Sequence, residues 1–404
     1  MRTEQTTCCI VGGGPAGMVA GLLLARQGVD VVVLEKHADF LRDFRGDTIH
    51  PSTLELLGEL GWIDEFLRLP HTKMTRVTVE MAGVPVTFAD FSRLKVRCPY
   101  VAFMPQWDFL DFLAEKAKAH TGFRLMMNAE ATDLLWDGDR VVGVRAETPE
   151  GGLDVRAQLV IGADGRHSMV RRGAELDVAK HTPPMDVLWF RLSRRSDEEL
   201  PFFRPGRGHV LVCINRGEYW QFAYVIPSRQ FDAVKAAGLE SLRSSVADLF
   251  GPLADRVAEL QTWDDIRLLS VSVDRVRRWH RPGLLCIGDA AHAMSPAGGV
   301  GINLAVQDAV ATANILGPSL RGDGAAQLGR VQRRREFPTR VTQLIQVRTL
   351  RGLYPKDLHD DRSQRMPFAF RLFRRVPALR FVTGRFIGLG VRPEHLAAPA
   401  AARD

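Results

Sequence analysis

One stretch, Cys8-Cys9-Ile10-Val11-Gly12-Gly13-Gly14-Pro15-Ala16-Gly17-Met18, limits what this chain can fold into more than any other. An apolar run ends in a Gly-x-Gly-x-x-Gly turn. A helical pattern then carries Met18, Leu22 and Ala25 on one face as far as Gly28, and a second apolar run, Val31-Val32-Val33-Leu34, ends in Glu35. Strand, glycine turn, helix, strand and acid in that order read as a dinucleotide-binding βαβ unit. Gly12 permits the tight turn, Gly14 lets the backbone approach a pyrophosphate at the positive end of the helix, and Gly17 lets helix and strand pack closely. Glu35 stands where a carboxylate accepts hydrogen bonds from a ribose, and Pro15, Ala16 and Lys36 flank these positions in the expected nucleotide cradle.

With 404 residues, 46% of them hydrophobic and 25% charged, the chain buries a large core and has the length of two or three domains. The formal charge of +7 is scattered and no aromatic-rich motif accompanies it, so no nucleic-acid partner is expected. The first apolar run is the strand itself, with no cationic segment and long apolar core ahead of it; we read no signal peptide and a cytoplasmic setting. Five cysteines without a Cys-x-x-Cys pair give neither a disulfide framework nor a zinc site, and no metal is expected.

A polar loop after Glu35 carries Arg42 and Arg45, the second placed to reach a ligand because it precedes a helix start beside the nucleotide site. Ser52 and Glu55 have capping-box spacing, predicting a helix to about residue 69. From Arg76 the pattern turns to short alternating runs, 77–79 and 84–88, that suit an antiparallel hairpin. The chain returns through Gln106 to a helix with Leu110, Leu113, Ala114 and Ala117 at helical spacing, and strand-like runs at 132–137, 140–147 and 153–155 form a meander.

Two further landmarks end strands in Gly-x-Asp or Gly-Asp. Residues 159–165 deliver Asp164 and Gly165 to a helix start with Ser168 and Arg171 one turn apart. Alone, this is also what an ordinary strand-to-helix turn looks like. Residues 284–289 deliver Asp289 to a proline and glycine loop (Pro296, Gly298, Gly299, Gly301), and a helix through Asn303 then runs to a stop at Gly317-Pro318. Asp289 is positioned to bond a polyol, and the amides of that helix start can face an oxyanion. His292 is read as structural. Between these landmarks, 187–192, 210–214 and 219–226 are strand candidates; Trp220, Phe222 and Tyr224 share one face at period two, either as sheet packing or as the wall of a site for a flat substrate.

In this order and spacing, over about residues 7–320, the three landmarks resemble the FAD-dependent aromatic hydroxylases, the group A flavoprotein monooxygenases. The resemblance implies an α/β fold with a Rossmann-like FAD-binding domain of the GR2 type (1–75, 98–180 and 273–320), an inserted antiparallel-sheet substrate domain (76–97 and 181–272) and a C-terminal helical segment (321–404). It assigns Gly12, Gly14, Gly17 and Glu35 to the ADP half of FAD, Asp289 to the ribityl chain, and Arg45 and Gln106 to positions near the phosphates and ribityl. Asp164 falls in a motif tied to FAD and pyridine nucleotide. Pro296, Gly299, Gly301 and Asn303 would bring a helix N-terminus to the anionic edge of reduced flavin. The implied reaction consumes NADPH or NADH, bound transiently without its own Rossmann domain, and transfers oxygen from a flavin hydroperoxide to a phenolic or polyketide-like aromatic. Another flavin enzyme on the same scaffold, a halogenase, prenyl reductase or oxidase, is the alternative. No catalytic acid or base is assigned, and a monomer or homodimer is expected.

The C-terminus interleaves apolar residues with arginines at 366–375 and 379–381. A membrane-surface helix is one reading. The one we adopt is an amphipathic helix pair packed on the FAD-binding domain with its arginines in solvent.

Overall fold

Runs as apolar as 8–11 and 31–34 are satisfied inside a parallel sheet covered on both faces. The computed structural model describes residues 2–41, 48–81, 83–181, 185–200, 202–322, 327–353, 366 and 368–397. Five parallel strands lie in the order Leu284–Cys286, Gly151–Gly162, Arg2–Val11, Val31–Leu34 and Phe123–Met126. Val11 is in register with Leu34 and Gly162, and Gly162 with Cys286. The segments leaving these four strands therefore emerge side by side along one carboxyl edge. The meander and the second landmark, separate strands in the sequence reading, are joined: Gly151–Gly162 is one strand. On one side it pairs in parallel with Arg2–Val11 from Leu153 to Gly162; on the other its first half pairs with Arg140–Thr148, itself paired to Glu130–Asp137, and its last three residues pair with Leu284–Cys286.

In chain order the helices are α1 (Pro15–Arg26), α2 (Pro51–Glu59), α3 (Ile63–Phe66), α4 (Gln106–Lys118), α5 (Met169–Gly173), α6 (Phe231–Ala236), α7 (Leu239–Leu249), α8 (Val300–Leu320), α9 (Leu328–Leu353), α10 (Phe368–Arg375) and α11 (Leu379–Leu389). Residues 16–25 of α1 are buried, and the helix packs against α4 and α8. A second sheet has the order Arg267–Ser270, Met185–Ser193, Tyr219–Pro227, Val210–Asn215, Phe203–Pro205, Arg76–Met81, Val84–Asp90, antiparallel throughout except for the parallel link between Phe203 and Val79.

Three local expectations are corrected. The capping box at Ser52 and Glu55 does not form: His50 takes the N-cap with Pro51 in the first turn, so α2 starts earlier. The Ser52 hydroxyl donates instead to Asn303 on α8, and Glu55 accepts from the Arg97 amide at 3.0 Å. The helix also stops at Glu59, before Gly61 at φ 80°. Gly317-Pro318 is not a stop, because proline in the last turn of α8 forfeits only one backbone bond, and the bare Gly317 accepts the Gln27 side chain against it.

The third correction concerns α10 and α11, which pack mainly on the outer hairpin of the second sheet, α11 also reaching the parallel-sheet layer where Gly388 meets Pro51 of α2 and Gln307 of α8 donates to the Leu389 carbonyl at 3.1 Å. Phe370 meets Phe88 edge to face at 6.2 Å, and Gly384 lies against the Asp90 backbone. Beyond α11 the chain returns to clamp the helices: Glu394 receives Arg334 at 2.7 Å and Arg335 at 3.2 Å, and Leu396 N donates to Glu59. Among the described residues no helix is long and apolar enough to cross a membrane.

Candidate cofactor and active site

Gly12 has φ 105°, and a Cβ there would lie 2.5 Å from the Ala163 carbonyl oxygen, so the turn is held against the neighbouring strand end. A Cβ on Gly17 would collide with the Gly12 carbonyl, whereas one on Gly14 would meet nothing within 4 Å. The space in front of Gly14 is thus open at the start of α1, whose N-terminus has no side-chain cap and no acid in its first turn. Donors without intrahelical partners and the positive end of a helix dipole face that space. Glu35, buried, accepts from Gly13 N at 2.9 Å and His37 N at 3.1 Å, which pins its carboxylate to the glycine turn. Lys36 is exposed. This donor set fits an anionic pyrophosphate with a ribose beside it.

The next strand end carries Asp164, which accepts from Ser168 Oγ at 2.5 Å and Val170 N at 3.1 Å. Burial raises its pKa, and these bonds oppose the rise. Ser168 in turn caps α5 by accepting from Arg171 N at 2.9 Å. Asp289 lies in a single 3-10 turn, Gly288–Ala290, directly beyond the outermost parallel strand, Leu284–Cys286. Gly288 has φ 58° and packs on Ala16 of α1 and Ala305 of α8, which brings the Asp289 turn against the first cradle.

Gly298 (φ 79°) and Gly299 (φ 63°) turn the chain into α8, leaving the amides of Val300, Gly301 and Ile302 without intrahelical acceptors. Two residues that sequence reading missed hold this turn. The Gly299 carbonyl accepts from Thr48 Oγ1 and from His50 Nε2, each at 3.1 Å. Burial pushes the His50 imidazole down to about 4, which keeps it neutral with its proton on Nε2. Asn303 is fixed through its side-chain oxygen by Ser52 and by Gln307 Nε2 at 2.8 Å, so it braces the α2–α8 contact. The pattern that could have found Thr48 and His50 is their spacing of two about Ile49: Thr48 opens the short strand Thr48–Ile49 and His50 directly follows it, and the strand pairs with Val101–Phe103 and so ties the turn to Gln106 at the start of α4. Arg42 and Arg45 lie outside the described residues.

The aromatic row does not stand at this site. Trp220, Phe222 and Tyr224 are buried with Phe190, Leu242, Val246 and Phe250 on the face covered by α7. Trp220 Nε1 donates to Glu198 at 2.7 Å, Phe222 stacks on Phe190 and Tyr224 on His209. The opposite face of the same strands, with Trp189, Val212, Ala223, Val225 and Leu269, is the one that packs against Ala297 beside the glycine turn. Period two identified the right strand, but which face is turned inward depends on where α7 docks.

A family model described as FAD binding domain matches residues 5–344 of the chain. Over 385 residues the chain is 32% identical to 6-methylpretetramide 4-monooxygenase of Streptomyces rimosus, covering 94% of this chain and 92% of that one. It is 29% identical over 341 residues to the 12-dehydrotetracycline 5-monooxygenase/anhydrotetracycline 6-monooxygenase of the same species, covering 79% of this chain and 64% of that one. In fold it matches the crystal structure of p-nitrophenol 4-monooxygenase PnpA from Pseudomonas putida DLL-E4, with a TM-score of 0.74 at 21% identity over 96% of this chain and 95% of that one.

Proposed function

The chain belongs to the FAD binding domain family and is an FAD-dependent monooxygenase of the aromatic hydroxylase class, and from that premise we propose that its substrate is a phenolic, polyketide-like polycyclic aromatic. The observation that carries the reading is the single carboxyl edge on which the 12–17 turn, Glu35, Asp164 and the Asp289 turn meet, with the apolar face of a second sheet standing over the neighbouring glycine turn. Relatives that act on tetracyclic polyketides support the size and chemistry of the substrate.

In this reading the amides at the start of α1 receive the pyrophosphate, Glu35 the adenosine ribose and Asp289 the ribityl chain, with Arg45 and Gln106 beside them. Bound FAD, reduced by NAD(P)H, supplies the activation of molecular oxygen and its transfer to a ring carbon. The protein's residues supply position and environment. The start of α8 directs amides and a positive helix end at the anionic edge of the cofactor, and Thr48 and His50 hold those amides in place. Trp189, Val212, Leu269 and Ala297 keep water from the space where substrate and cofactor meet. No side chain is assigned as acid or base; the contribution read here is placement of an electron-rich ring against the cofactor.

Purified protein tested with a panel of mono- and polycyclic phenols is expected to consume NAD(P)H several-fold faster with at least one polycyclic phenol, and to release FAD on heating. A preparation that releases FAD but whose NAD(P)H consumption no phenol raises would overturn the substrate class.

A further inference from the structure

We infer that Trp189 and Gln221 form a paired donor site for a ring carbonyl oxygen of the substrate, a specificity element for the reaction proposed above and resting on that reading. Trp189 is the cross-strand partner of Ala223, and Gln221 lies two residues before Ala223 on the same strand. Antiparallel partners point to one side of a sheet and residues two apart share a face, so the two side chains are diagonal neighbours, with Cα atoms roughly 7–8 Å apart. Their face is the one that meets Ala297 at the entrance to α8.

Both carry a shielded donor without an acceptor. Trp189 Nε1 and Gln221 Nε2 are buried and make no hydrogen bond, and Gln221 as a residue is only 2% exposed. The orientation of the amide follows from its other end: Arg216 donates from Nε and from Nη2, each at 2.8 Å, to Gln221 Oε1. A guanidinium has no acceptor to offer, so the oxygen must face it and the amide nitrogen must point away. Buried donors are rarely left unsatisfied. On an otherwise apolar wall made of Trp189, Val212, Ala223, Val225 and Leu269, two adjacent donors are complementary to an acceptor-bearing ligand and mismatched to a plain hydrocarbon surface. An aromatic ring system whose carbonyl oxygen takes both donors would be held in one register against the cofactor, which selects the carbon that reacts.

The test uses FAD-loaded protein and two probes of one size and hydroxyl pattern, 1,8-dihydroxyanthraquinone, which carries ring carbonyls, and 1,8-dihydroxyanthracene, which has none. Binding is read from the perturbation of flavin absorbance. Trp189→Phe keeps a ring and removes the N–H. Gln221→Glu keeps an oxygen for Arg216 and replaces the donor with an acceptor. Wild type is expected to bind the carbonyl probe at least tenfold tighter, about 1.4 kcal/mol, with each variant erasing most of that preference and leaving the affinity for the carbonyl-free probe within twofold. Equal weakening of either variant toward both probes overturns the inference. So does equal binding of the two probes by wild type, and that result leaves the aromatic-substrate reading standing. Failure of wild type to bind either probe overturns both.

Discussion

Gly14 and Gly17 sit one turn apart under opposite constraints. A methyl group at Gly17 would occupy the position of the Gly12 carbonyl, which is backbone and cannot yield, whereas the space at Gly14 is open and the residue has φ −72°, accessible to alanine. Gly17→Ala is therefore expected to abolish folding. Gly14→Ala is expected to melt within a few degrees of wild type yet bind FAD about tenfold more weakly, ~1.4 kcal/mol, because the methyl group fills the approach to the helix-start amides; calorimetric titration of the apoprotein checks it. Unchanged FAD affinity would contradict the placement of the pyrophosphate. His50 gives a pH dependence. Burial pushes both His50 and His209 down to about 4, while an unfolded histidine titrates near 6.5. The unfolded state thus takes up protons first on acidification, so the stability these residues leave intact above about pH 6.5 is lost as pH falls from there toward 4, by roughly 2 kcal/mol per histidine at pH 5. His50→Gln keeps a donor for Gly299 and removes one of the two. Its loss of urea resistance between pH 7 and pH 5 should be smaller than wild type's by about that amount, and an unchanged loss would sink the assignment of His50 as a buried neutral group.

At the scale of elements, the βαβ unit, the hairpin and all three landmark strands were legible because each is local: strand, turn and helix residues lie within about thirty positions and their periodicity reports burial directly. What was not legible was long-range. The face of the Tyr219–Pro227 strand that looks inward is set by α7, the fate of Ser52 by Asn303 some 250 residues later (|i−j| = 251), and the seat of α10 and α11 by a hairpin near residue 88. The buried charges of α8 and α9 are of the same kind. Asp308 accepts from His292 Nε2 at 2.6 Å and from Arg335 Nε at 2.9 Å, and Arg335 also reaches Glu394 at 3.2 Å. Burial alone would raise the Asp308 pKa, but His292 and Arg335 outweigh it and hold the carboxyl below the usual range. Arg335, with no exposed surface, joins the Asp289 loop, α8, α9 and the C-terminal return in one contact set. Arg335→Met takes the guanidinium from two buried carboxylates, leaving Asp308 with His292 and Glu394 with Arg334, and is expected to cost about 3 kcal/mol in urea unfolding; a loss below about 1 kcal/mol would show that the set contributes little.

The whole molecule sets two sheets on either side of the turn that opens α8. One presents a carboxyl edge of amides and acids suited to a dinucleotide, the other an apolar face interrupted by Trp189 and Gln221. Neither face offers a metal cluster among the described residues, and the reacting oxygen is assigned to bound FAD. The electron source, the cofactor and the dry wall serve one claim: the protein inserts an oxygen atom from O₂ into an aromatic ring. The most direct test is a turnover with NAD(P)H, the phenol that best stimulates its oxidation, and ¹⁸O₂ in unlabelled water, followed by mass spectrometry of the product. One ¹⁸O atom per product molecule, retained on the ring, is the predicted result. A product with no label, or one halogenated when chloride is present, would contradict the account even with FAD bound as described.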